Sequence, residues 1–129
     1  MSRQRVESGR PWNDVGYSRA IRVGSVIEVA GTTAMSADGT VEHPNDMERQ
    51  TRSILTEMIV AIEQLGGTAA DVVRTRMFVT DVSRWEEAAR VHQEFFADVL
   101  PVSSMIEVSA FLDPSLVIEI EATALIDES

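Results

Sequence analysis

From residue 116 to residue 126 the chain alternates almost without fault. Ile118, Ile120, Ala122, Ala124 and Ile126 fall on one side, Glu119, Glu121 and Thr123 on the other. A period of two marks a β-strand with one face in a core. Two other stretches carry the helical period instead. Met47, Thr51, Ile54, Leu55, Met58, Ile59, Ile62 and Leu65 form a stripe between the cap signal Pro44-Asn45-Asp46 and the stop Gly66-Gly67. Trp85, Ala88, Ala89, His92, Phe95, Phe96 and Val99 form a second stripe, with Asp81 or Ser83 as its cap. A strand apolar on one side must have that side covered, and two one-sided helices can supply the cover.

Further strands are expected over residues 17–23, 26–30, 72–80 and 104–111, with a brief one at 40–42 and a helical turn at 68–71. Within 72–80, the pattern puts Val73, Thr75, Met77 and Val79 on one face and Arg74, Arg76, Phe78 and Thr80 on the other. The order β-β-(β)-α-β-α-β-β predicts an α+β fold, a sheet with both helices packed on one face. The second sheet face also carries apolar residues. Self-association is the economical way to cover it, and a solvated face is the alternative. With 129 residues, no internal repeat and no linker, the chain reads as a single domain over residues 1–129, its first 14 residues a polar arm.

Charge and absent residue types exclude more chemistry than any motif supports. Eleven basic against 21 acidic residues give a net charge of −10, the wrong sign for neutralising a nucleic-acid backbone. The chain has no cysteine, and all its basic residues are arginines. Disulfides, thiolate metal sites, thiol nucleophiles, Schiff-base amines and a phosphate-loop lysine are therefore missing. Arg3, Arg5 and Arg10 have no apolar run behind them, so no signal peptide is read, and no stretch approaches the ~20 apolar residues of a membrane span. A cytoplasmic protein without nucleic-acid or membrane partners is expected.

What remains for catalysis is carboxylates, hydroxyls, arginines, two histidines and backbone dipoles. Glu119 and Glu121 lie on one strand face, ~6.5 Å apart. In a pocket such a pair repels and one member becomes a neutral-pH acid–base group; on an open face it is a solvated polar stripe. Arg74 and Arg76 are likewise two apart. They suit a bidentate grip on a carboxylate ligand, and equally a pairing with Glu119, Glu121 or Glu107. Arg19, on an early strand, is a further cation. Gly31-Thr32-Thr33 follows an apolar strand and can present backbone N–H groups to an anion or simply end the strand. His43 has no partner at metal spacing and His92 lies on a helix stripe, so no metal site is read.

Taken in order, five segments resemble the Rid family, also called YjgF-like or reactive intermediate deaminase proteins. They are Val15-Gly16-Tyr17-Ser18-Arg19-Ala20, Val29-Ala30-Gly31-Thr32, the run from Asp71 to Asp81, Phe95-Phe96, and Ile118-Glu119-Ile120-Glu121-Ala122. The resemblance spans residues 12–126. It implies a chorismate-mutase-like protomer and a homotrimer with a central barrel, helices outside and ligand clefts between neighbouring subunits. The deaminase branch hydrolyses enamines and imines such as 2-aminoacrylate and needs no cofactor or metal. The resemblance assigns Tyr17, Gly31 and Glu119 to the cleft: Tyr17 shapes it, Gly31 supplies an N–H donor, and Glu119 orients water. It also brings Thr32, Ser83, Trp85 and Glu121 beside the ligand.

One departure matters. The deaminase branch reads Pro-Ala-Arg after the second helix, and its arginine grips the substrate carboxylate; this chain reads Pro101-Val102-Ser103. Losing a buried charged contact costs ~2–5 kcal/mol, so Ser103 places the chain with arginine-lacking branches, and 2-aminoacrylate deamination is not carried over. Arg74 and Arg76 are the candidates to replace the charge. Two readings follow: a cofactor-free hydrolase of a small reactive imine or enamine, and a non-catalytic small-molecule-binding trimer. The endoribonuclease activity for which some relatives are named is a third, disfavoured by the acidic charge.

Overall fold

The computed structural model describes residues 2–127. Their strands are β1 (Arg3–Val6), β2 (Ala20–Val23), β3 (Val26–Thr32), β4 (Val72–Val79), β5 (Val102–Glu107) and β6 (Ile118–Leu125). They form one six-stranded sheet in the order β1-β2-β3-β6-β4-β5. Helices α1 (Met47–Gln64) and α2 (Trp85–Phe96) cover one face. The alternating segment is the strand that organises the rest: β6 lies between β3 and β4, antiparallel to both. Its apolar series Ile118, Ile120, Ala122 and Ala124 is buried, and Glu119 and Glu121 face away from the helices. Only β4 and β5 run parallel, and α2 makes the crossover between them.

The first helix follows its sequence signals closely. Asp46 caps it by accepting the Arg49 backbone N–H at 2.9 Å, and Gly66, at φ +90°, ends it in the left-handed region. Ile54, Leu55, Met58 and Ile62 lie in the core. Gln50 is buried among them and fully bonded. Its Nε2 donates to the carbonyls of His43 and Ser115 at 3.0 and 2.9 Å, and its Oε1 accepts the Val117 N–H at 2.9 Å. One amide thus fastens the entry to α1 to the entry to β6, setting the register from which Glu119 projects.

Several expectations shift. The arm contains a strand, β1, paired with β2; Arg-Gln-Arg-Val shows no apolar alternation, so only the ladder reveals it. The strand expected from residue 17 begins at Ala20, the one at 40–42 shrinks to a single Met35–Val41 bridge, and the one at 104–111 is β5, two residues earlier. Val73 is not in the core. Val72 stands opposite Ala124 and Arg74 opposite Thr123, so a bulge turns Val73 outward and puts Val72 inside. In α2 the buried residues are Ala88, Val91 and Phe96, while Trp85 is 49% exposed. No helix among the described residues is long and apolar enough to cross a membrane.

Candidate functional site

A second bulge builds the site. Val29 stands opposite Ala122 and Thr32 opposite Ile120, so β3 carries one residue more than β6 over this stretch. The extra residue brings Gly31 against Glu119, across the strand pair. A Cβ on Gly31 would lie 2.6 Å from Glu119 Oε1 and 2.8 Å from its Cδ. Only a glycine lets the carboxyl lie flat on the β3 backbone. Gly31→Ala is therefore expected to push the carboxyl aside and lower any turnover at least ~10-fold, with little change in melting temperature. Kinetics and thermal unfolding of the same variant check this.

Around the two residues is a cleft of ≈ 510 Å³. Trp12, Tyr17, Phe111, Leu112 and Leu116 give it apolar walls; Arg10, Arg19, Gly31, Thr33 and Glu119 give it polar ones. The Trp12 indole N–H donates to Tyr17 Oη at 2.8 Å, fixing both rings. Beneath them two arginines are buried. Arg19 donates to the Ser8 carbonyl at 2.8 Å and to Thr32 Oγ1 at 3.0 Å. Arg10 grips Glu57 with both terminal nitrogens, at 2.9 and 3.0 Å, and donates to the Thr33 carbonyl at 2.8 Å. Residues 8–12 are thereby strapped to α1 and to the end of β3.

The electrostatics follow from this packing. Burial raises the pKa of the Glu119 carboxyl above its ordinary range; Glu121 adds to the rise and Arg19 opposes it. Burial and the neighbouring Arg10 lower the Arg19 pKa, against the pull of Glu57, yet a guanidinium remains charged. The result is a carboxyl whose ionisation is disfavoured above two fixed cations, the chemical profile of an acid–base group.

Of the expected site residues, Tyr17, Gly31, Glu119 and Arg19 meet in this cleft. Thr32 lies under it, buried, its hydroxyl accepting from Arg19 and donating to the Ala30 carbonyl at 2.8 Å. Arg74, Arg76 and Glu121 line an adjoining recess of ≈ 410 Å³ on the helix-free face, which shares Tyr17. There Arg76 Nη1 donates to Glu121 Oε1 at 2.8 Å, the structural pairing foreseen as one alternative. Because both partners are partly exposed, Arg76→Ala is expected to cost no more than ~1 kcal/mol in denaturant unfolding.

Three expected cleft residues lie elsewhere in the protomer. Ser103 pairs in register with Thr75, so parity turns it to the helix face, with β4 between it and β6. Ser83 closes a local turn, its hydroxyl donating to Asp81 Oδ1 at 2.6 Å. Trp85 lines a separate recess with Glu86, Ala89 and Arg90 at the start of α2. Conversely, Arg10, Trp12, Phe111 and Leu112 line the cleft although no sequence pattern marks them as cleft residues. Pro11-Trp12 in a polar segment was the one available signal. A larger recess of ≈ 740 Å³ by α1 contains Arg10, Arg49 and Arg52, but these already pair with Glu57, Asp46 and Glu94. Among the described residues no group of three or more histidine or acidic side chains could hold a metal ion.

Comparison with known proteins places this geometry. The family model described as Endoribonuclease L-PSP matches residues 8–126. The chain belongs to the YjgF/Rid family. A RutC family protein of Pyrococcus abyssi is 30% identical over 108 residues, 84% of each chain, and an uncharacterised protein of Streptomyces coelicolor is 32% identical over 122 residues, 94% of this chain and 90% of that one. Among solved structures, a YjgF/YER057c/UK114 family member from Mycobacterium tuberculosis is 46% identical and superposes with a TM-score of 0.87, covering 97% of this chain and all (100%) of its own. A Rid-family protein of unknown function from Yersinia pestis gives 0.85 at 26% identity, covering 97% and 100%. The α+β architecture is therefore that of the YjgF/Rid family, and the bulge, Gly31 and Glu119 lie within the matched segment.

Proposed function

We propose that this chain is a cofactor-free hydrolase that adds water to the C=N bond of a small imine or enamine-derived metabolite. The observation that carries this reading is the Glu119 carboxyl, lying on Gly31 inside a cleft with its pKa raised. In the proposed step Glu119 takes a proton from water as the oxygen adds to the imine carbon. It returns that proton to nitrogen, giving a carbinolamine; the carboxylate then carries the hydroxyl proton to nitrogen as the C–N bond breaks, releasing ammonia and leaving the carbonyl product. The Gly31 N–H steadies the negative charge that develops, and Tyr17 with Trp12 forms the wall against which the substrate lies.

The active form in this proposal is a homotrimer with the cleft completed by a neighbouring copy. Leu100 (78%), Val102 (58%) and Ile106 (42%), on and before the edge strand β5, and Leu112 (81%) at the cleft rim are strongly exposed, an apolar margin that a second copy would cover. Sedimentation at equilibrium tests this part: a trimer mass is expected, and a stable monomer overturns it.

A second reading is a small-molecule-binding trimer without turnover. The ion pair that already commits Arg76 to Glu121 favours it, and by the resemblance Ser103 stands where the deaminases have their arginine. Incubating the protein with freshly generated imines and enamines separates the two. Accelerated hydrolysis lost in Glu119→Ala supports the enzyme; saturable binding without hydrolysis supports the binding protein.

A further inference from the structure

On the helix face of the sheet three side chains that the cleft does not use form a continuous line. Thr75 is fully buried, at 0% exposure. Its Oγ1 is 2.8 Å from His92 Nε2 on α2, and its hydroxyl donates to Ser103 Oγ on β5 at 2.8 Å. His92 is half-buried against the Phe96 ring, their centroids 4.8 Å apart. Ser103 lies on the exposed edge strand. We infer that His92, Thr75 and Ser103 are a proton relay that makes Ser103 a reactive hydroxyl, a second acid–base site suited to electrophilic acyl or phosphoryl centres.

Three physical points support it. A threonine hydroxyl has one donor and two lone pairs, so a single oxygen can bridge both neighbours, and rotating the two hydroxyls lets a proton pass either way. Burial lowers the His92 pKa, which favours the neutral ring, and a neutral imidazole has one unprotonated nitrogen able to accept a proton. Satisfying Thr75 requires only His92, because Ser103 has water at hand; the third link is more than packing demands. A valine at residue 75 would fill the strand equally well with no line at all.

A fluorophosphonate tests the relay without knowledge of any substrate. The Ser103 Oγ–P bond forms and the P–F bond breaks, with fluoride leaving on its electron pair. The Ser103 proton moves to Thr75 Oγ1 as the Thr75 proton moves to His92 Nε2. Ser25 is the internal control: it is exposed in the turn between β2 and β3, away from β5. Peptide mapping of the labelled full chain is expected to show Ser103 modified at least ~10-fold faster than Ser25. Thr75→Val and, as a second route should that variant not fold, His92→Gln should each cut Ser103 labelling ~10-fold, and Thr75→Ser should retain it. Equal labelling of the two serines, no labelling, or labelling indifferent to these variants overturns the relay. None of these results touches the Glu119 reading, which uses none of the three residues.

Discussion

Glu119→Ala is expected to slow imine hydrolysis by ~10²–10⁴-fold, the contribution of a well-positioned acid–base group, while leaving the fold intact. The carboxyl has no hydrogen-bonding role in the core, and its burial works against ionisation. Glu119→Gln keeps the shape and should lose the same activity. Stability supplies an independent signature with a definite sign. Folding raises this pKa, so the ionised carboxylate opposes folding at pH values above the folded-state value. The opposition vanishes below the unfolded value of ~4.3. Glu119→Gln should therefore melt a few degrees higher than the parent at pH 7 and no higher near pH 3.

The largest effect on stability is expected from Glu57→Ala. It strips the carboxylate from Arg10, whose side chain is 3% exposed and holds Glu57 through both terminal nitrogens. Removing one partner of a buried pair costs ~3–5 kcal/mol. Glu57 itself is 35% exposed, so water can reach part of the vacated space, and a loss of ~2–3 kcal/mol is expected in chemical denaturation. The double variant Arg10→Met/Glu57→Met should lose less than Glu57→Ala, because no charge is stranded. Glu57→Ala should also loosen the strap of residues 8–12, weakening ligand binding through Trp12 although Glu57 is far from the reacting atoms.

The readable parts of this molecule were those whose period is local. β6 declares itself because every second residue from Ile118 to Ala124 must enter the core, and α1 because its cap, stripe and stop agree. The bulges at Ala30-Gly31 and Val73 escape such a reading. Each inserts a residue that breaks parity, and only the partner strand's register exposes it. For the same reason the opposite orientation of Ser103 was not legible: its face is set by pairing with Thr75, not by its neighbours in sequence. β1 was hidden because its backbone pairing with β2, rather than its side chains, defines it. Resemblance to the Rid family brings Tyr17, Gly31 and Glu119 forward as a group, and the fold gathers them in one cleft. It carried no information about Arg10 and Trp12, which reach the cleft through a loop whose path depends on Glu57 and Tyr17.

The claim on which the rest depends is that Gly31 holds the Glu119 carboxyl in a place where ionisation is costly. Titration of that carboxyl by ¹³C NMR, with glutamate labelled at Cδ and the signal assigned through Glu119→Gln, reads this directly. The account predicts a midpoint clearly above the ~4.3 of a solvated glutamate, falling back toward it in Gly31→Ala. A midpoint at or below the ordinary value in the parent protein would contradict it.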